Sequence, residues 1–143
     1  MDQGVENLKI YKLSHELGIR VHEMSLTLPR FELHEVGSQI RRSAKSVSAN
    51  IVEGFALRIY KNEFIHYLYR AYASSKETVE HLDYLYETKS LTDSDVHLKL
   101  RSSYEELNKM LFAFINSVVR THEKPYYVKE TDVPYSTSES HDL

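Results

Sequence analysis

Val36-Gly-Ser-Gln-Ile-Arg-Arg-Ser-Ala-Lys-Ser-Val-Ser-Ala-Asn-Ile-Val-Glu-Gly-Phe55 is the stretch whose reading decides the fold. Ile40, Ala44, Val47, Ile51 and Phe55 recur at intervals of three and four, the repeat of one face of an α-helix. Burying that stripe requires partner helices of the same period. Arg42 and Lys45 project roughly opposite it and Arg41 to its flank, while Ser43, Ser46, Ser48 and Ala49 leave the surface thin enough for another helix to come close. Asn50 and Glu53 are polar residues in an apolar neighbourhood. They are expected to make polar contacts to the next helix, at Arg70 or Ser74, or to another subunit, because a buried carboxylate without a partner costs several kcal/mol.

Upstream, Ile10, Leu13, Leu17, Val21, Met24 and Leu28 keep helical spacing, with Lys12, Glu16, Arg20 and Glu23 on the wet side. Pro29 disfavours helical geometry in the residue before it, so the first helix is expected to end at Leu28 and residues 30–36 to form a connector. The second helix then starts at Gly37 or Ser38 and runs to about Leu57. Downstream, a third helix is predicted from about residue 61 to 88. One stripe on it is Phe64, Leu68, Ala71, Ser75, Thr78, Leu82 and Leu85, and a second interleaves Ile65, Tyr72, Val79 and Tyr86. Thr92 with Asp95 resembles a capping box opening a fourth helix, whose core face is Val96, Leu100, Tyr104, Leu107, Leu111, Phe114 and Val118. Prolines, serines and scattered acids then mark residues 122–143 as an irregular tail following a 1–121 domain. Four amphipathic helices with short connections imply an all-α fold, an antiparallel up-down four-helix bundle.

Two stripes exceed what one bundle core requires: Ile65, Tyr72, Val79 and Tyr86 on the third helix, and Phe112, Ile115 and Val119 on the fourth. Large exposed apolar patches are uncommon on monomers, so these positions are expected to form a homo-oligomer interface. The tyrosines of the third helix, Tyr67, Tyr69, Tyr72, Tyr84 and Tyr86, fit subunit contact better than base stacking, since a Tyr ring buries area while its hydroxyl stays satisfied.

With no cysteine in the chain, disulfides, thiolate metal sites and cysteine nucleophiles are excluded, which fits a reducing cytoplasm. Acidic residues at the start argue against a signal peptide, and no apolar run approaches the roughly 20 residues of a membrane span. The net charge of −3 gives no reason to expect nucleic acid, but residues 38–76 hold seven Lys/Arg against two Asp/Glu. That local excess draws attention to Arg41, Arg42, Lys45, Arg58 and Lys61.

Ser38-Gln-Ile-Arg-Arg-Ser-Ala-Lys-Ser-Val-Ser-Ala-Asn-Ile-Val-Glu-Gly54 resembles the signature helix of the bacterial proteins encoded in intervening sequences of 23S ribosomal RNA genes. The likeness extends over about residues 8–120 and includes Leu8-Lys-Ile-Tyr11, Leu28-Pro29 with Glu32, and Phe64-Ile-His-Tyr-Leu-Tyr-Arg-Ala-Tyr-Ala-Ser74 with Glu77. It implies a small helical bundle assembling into a five-membered ring. A related accessory protein of diversity-generating retroelements binds nucleic acid and a reverse transcriptase. The sequence departs from the family pattern at Ser48, where Pro is usual, at His66 and Tyr72, where basic residues are usual, and at Ala73, where Gly is usual.

Glu63-Phe-Ile-His66 supplies one Glu-x-x-His, but a di-metal bundle needs a second on another helix, so neither metal nor cofactor is expected. No nucleophile elbow or phosphate-cradling glycine loop is present, and no catalytic residue is assigned. The expected function is a non-catalytic homo-oligomeric scaffold that binds RNA or DNA, structured RNA foremost, through Arg41, Arg42, Lys45, Arg58 and Lys61. The alternative is a protein-interaction scaffold with no nucleic-acid affinity.

Overall fold

A computed structural model describes residues 4–121 and Pro134, so the tail assigned to residues 122–143 lies outside the described residues apart from the exposed Pro134. Four long helices carry the fold: α1 (Lys9–Ser25), α3 (Val36–Ala56), α4 (Lys61–Glu87) and α5 (Ser94–Arg120). A four-residue helix, α2 (Arg30–Leu33), occupies the connector after α1, and a 3-10 turn, Val5–Asn7, precedes α1. No strand occurs among the described residues.

Cross-helix contacts give the direction of each pair. Ser43 of α3 meets Thr78 of α4 while Ser46 meets Ser74, so the numbers rise on one helix as they fall on the other. Asp83 with His97 and Tyr72 with Phe112 repeat that opposition between α4 and α5. Arg41 with Ser25 and a close approach of Gly18 to Ala44 repeat it between α1 and α3. With α5 also packed on α1, the helices close an antiparallel up-down four-helix bundle.

The core follows the periodic stripes. All of Phe64, Leu68, Ala71, Ser75, Thr78, Leu82 and Leu85 are buried, as are Ile40, Ala44, Val47 and Ile51 on α3. On α5, Leu100, Tyr104, Leu107, Leu111, Phe114 and Val118 are buried and Val96 is half-buried. Ile115 corrects the expectation of a surplus stripe: it is fully buried within this chain. Its place four residues after Leu111 and three before Val118 puts it on the core face that those two define.

Two helix ends also differ from expectation. α1 stops at Ser25 instead of Leu28, because the Ser25 and Thr27 hydroxyls donate to the His22 and Met24 carbonyls and satisfy the last turn early. Pro29 instead precedes α2 as its N-cap. At the start of α5 the cap is Asp93 in place of Thr92, its carboxylate accepting from the backbone N–H groups of Asp95 and Val96.

Candidate nucleic-acid interface

The five candidate cations, Arg41, Arg42, Lys45, Arg58 and Lys61, divide by what they touch. Arg41 is half-buried and points back along the α1–α3 seam, donating to Ser25 Oγ at 3.0 Å and to the Leu33 carbonyl at 2.8 Å. Beside it, the buried Glu32 accepts from the Val36 N–H at the start of α3 and from the Ser90 hydroxyl at 2.6 Å. These bonds tie the connector, the N-terminus of α3 and the α4–α5 loop together, and a carboxylate at that helix end is favoured by the unpaired N–H groups there. Gly37 is required at this junction, since a Cβ would stand 2.6 Å from the Glu32 carbonyl oxygen. Arg41 is therefore a structural residue.

Arg58 donates to the Phe55 carbonyl at 2.9 Å and lies 4.1 Å over the Phe55 ring, closing the end of α3 on itself. Lys61 donates to the carbonyls of Val119 and Thr121, holding the start of α4 to the end of α5. Both are half-buried and engaged within the chain. Arg42 and Lys45 remain exposed on the outward side of α3. Ser48 sits beside them with its hydroxyl turned onto the Lys45 carbonyl, and α3 runs unbroken through the position where the family pattern has Pro.

Asn50 is buried, and its side-chain amide donates at 2.9 Å to both the carbonyl and the hydroxyl of Ser46. That hydroxyl in turn meets Ser74 Oγ at 3.0 Å, so the expected link to α4 is made through Ser46. For Glu53 the expected contact to the next helix is corrected. The side chain is exposed and bonded to neither Arg70 nor Ser74, because it projects toward the solvent side of α3; Arg70 is exposed as well and lies over the Tyr67 ring. The small residues do bring the helices close. Gly54 is buried, and a Cβ there would be 2.9 Å from Tyr67 Cβ.

The proposed interface stripe is largely engaged within the chain. Ile65, Tyr72 and Val79 are half-buried against the core edge, and the Tyr72 and Phe112 rings lie 6.2 Å apart across α4 and α5. Tyr86 stacks flat on His97 at 4.1 Å. Of the expected set, Val119 alone is exposed, at 44%. A polar cluster that no single-helix pattern predicts joins α4 to α5. Asp83 accepts from His97 at 2.9 Å and from Arg101 at 3.0 Å, and Arg101 also meets Glu105. Burial pulls the Asp83 carboxyl up, but the bonds from Arg101 and His97 outweigh it and hold it below the ordinary 3.8. Spacing along one helix gives no signal for a network that needs two.

Glu63 and His66 are both exposed, and among the described residues no three His, Asp or Glu gather as metal ligands would. Among those residues, too, no helix is long and apolar enough to cross a membrane.

A family model described as 23S rRNA-intervening sequence protein matches residues 6–113. Among solved structures, the chain is similar to a protein of unknown function from the S23 ribosomal protein family of Bacteroides thetaiotaomicron, with 26% identity and a TM-score of 0.63 over 78% of this chain and 99% of that one. No curated protein matches it. The matched region takes in α1 to α4, most of α5 and the Glu32–Arg41 junction, and the chain belongs to the 23S rRNA-intervening sequence protein family.

Proposed function

We propose that the protein is a non-catalytic, self-associating helical scaffold that contacts nucleic acid, structured RNA foremost, through Arg42 and Lys45. The observation that carries this reading is the division of the cations. Arg41, Arg58 and Lys61 bond to carbonyls or hydroxyls of their own chain, while Arg42 and Lys45 stand exposed on one face of α3. Structured RNA is placed first because the family's description refers to 23S rRNA, and DNA of matched length serves as the comparison in titration. Contacts from two such cations fall on phosphates and carry little sequence information, so affinity depends on charge, shape and repetition across subunits.

Salt dependence measures the number of contacts directly. Taking about −0.9 per neutralised duplex phosphate, two cations give a log–log slope of about −1.8 per subunit, against about −4.5 for all five. Light scattering establishes the number of subunits, and titration of a structured RNA across salt concentrations gives the slope. Arg42→Glu with Lys45→Glu should abolish RNA binding and leave assembly intact. Absence of RNA binding by the unmodified protein at low salt overturns the nucleic-acid reading. The engagement of three of the five cations within the chain then favours the protein-interaction scaffold, whose partner should be lost on the same charge reversal.

A further inference from the structure

A cleft of about 570 Å³ lies at the end of the bundle where α1 finishes and α5 begins. Its size is within the roughly 300–1,000 Å³ typical of small-molecule sites. Met24, Leu91 and Leu100, each buried, and the half-buried Val96 give it an apolar floor. Two cations from different helices line it, Arg20 of α1 and Lys99 of α5.

Two cations and two carboxylates line the cleft, but they do not pair with one another. Asp93 lines it too, but its carboxylate is committed to the N–H groups of Asp95 and Val96. Glu23 is exposed. The half-buried Arg20 has no hydrogen bond or ion pair to another described residue. The Arg20 guanidinium, a donor without an acceptor, leaves this end of the cleft able to take an anion.

We propose that this cleft binds a small amphipathic carboxylate, its acid head held by Arg20 and Lys99 and its hydrocarbon body lying on Met24, Leu91, Val96 and Leu100. The site is at the α1–α5 seam, away from the Arg42 and Lys45 face of α3, and stands whether or not that face binds RNA.

Calorimetric titration of the full chain with octanoate, and with 1-octanol as its uncharged counterpart, tests the assignment. Octanoate should bind saturably at one site per chain and octanol at least about tenfold more weakly, the loss expected for a charge-assisted hydrogen bond. Arg20→Gln and Lys99→Gln should each weaken octanoate by about tenfold, whereas Glu23→Gln should tighten it by removing a like charge from the lining. Thermal melts by circular dichroism identify any variant that fails to fold; should Arg20→Gln do so, the exposed Lys99 provides the decisive substitution. No saturable heat with octanoate, equal binding of octanol, or octanoate binding indifferent to the substitutions of folded variants overturns the proposal.

Discussion

The two sides of α4 are joined to their neighbours by opposite means. Toward α3 the contacts are small: Ser43 with Thr78 at 2.8 Å, Ser46 with Ser74 at 3.0 Å, and Gly54 against Tyr67. Toward α5 they are large and charged: Phe64 edge-on to Phe114 at 6.0 Å, Tyr72 near Phe112, and Asp83 bound by His97 and Arg101. Small residues let backbones approach and make the seam sensitive to added volume. Aromatic residues bury more area, and their seam is sensitive to lost volume. One helix thus has two failure modes, and substitutions that add or remove atoms separate them.

The largest effect is expected on the aromatic side. Phe114 is 1% exposed, and Phe114→Ala should cost about 3–5 kcal/mol through lost transfer energy and the cavity left beside Phe64. The mirror experiment is Gly54→Val, which adds atoms where a Cβ already stands 2.9 Å from Tyr67 Cβ, and about 1–3 kcal/mol of destabilisation is expected. Urea melts of both variants check the comparison. A neutral Gly54→Val would mean that the α3–α4 seam is no tighter than an ordinary helix contact.

The next effect is electrostatic and depends on pH. The Asp83 carboxyl is held below its ordinary 3.8 by Arg101 and His97, so its folded form binds protons less readily than its unfolded form. Its contribution to stability is present above that ordinary value and is lost as the pH falls through the lower folded value. Asp83→Asn should therefore cost about 1 kcal/mol near neutrality, a modest figure because Arg101 is partly exposed to solvent. The gap between variant and parent should close below pH 3.8. A gap that persists unchanged in acid would assign the loss to packing instead of charge.

How much of this was legible in the sequence follows from the range over which each interaction acts. The α4 stripe from Phe64 to Leu85 was readable because the repeat of apolar and small residues along one helix defines the buried face by itself. The fate of the cations was not. A run containing Arg41, Arg58 and Lys61 reads as a basic face, yet each meets an oxygen supplied by a turn or by another helix end, which the one-dimensional pattern does not place. Glu32 illustrates the same limit from the other side. An acid four residues ahead of the first residue of α3 is a weak sign of a helix-end contact, but its bond to Ser90 crosses 58 positions. The apolar neighbours of Glu53 in sequence suggest a contact to the next helix, whereas the residues that decide where its side chain goes lie on other helices.

The smallest effect tests the polar side of the comparison most directly. Asn50 donates to the Ser46 hydroxyl, and since that oxygen then has its own proton to give, the chain of bonds runs from Asn50 through Ser46 to Ser74 on α4. The pair is only part-buried, so water can replace whatever a single substitution removes. Ser46→Ala and Ser74→Ala should each change stability by less than about 1 kcal/mol, with the higher helix propensity of Ala offsetting part of the lost bond. That propensity gain occurs in single and double variants alike and cancels in a double-mutant cycle. The cycle should leave a coupling of about 0.5 kcal/mol for the hydroxyl pair itself. Zero coupling would make the hydroxyls replaceable spacers, their role limited to letting α3 and α4 come close. A coupling above about 1 kcal/mol would make the pair a specific fastener, comparable with the Asp83 cluster across the helix.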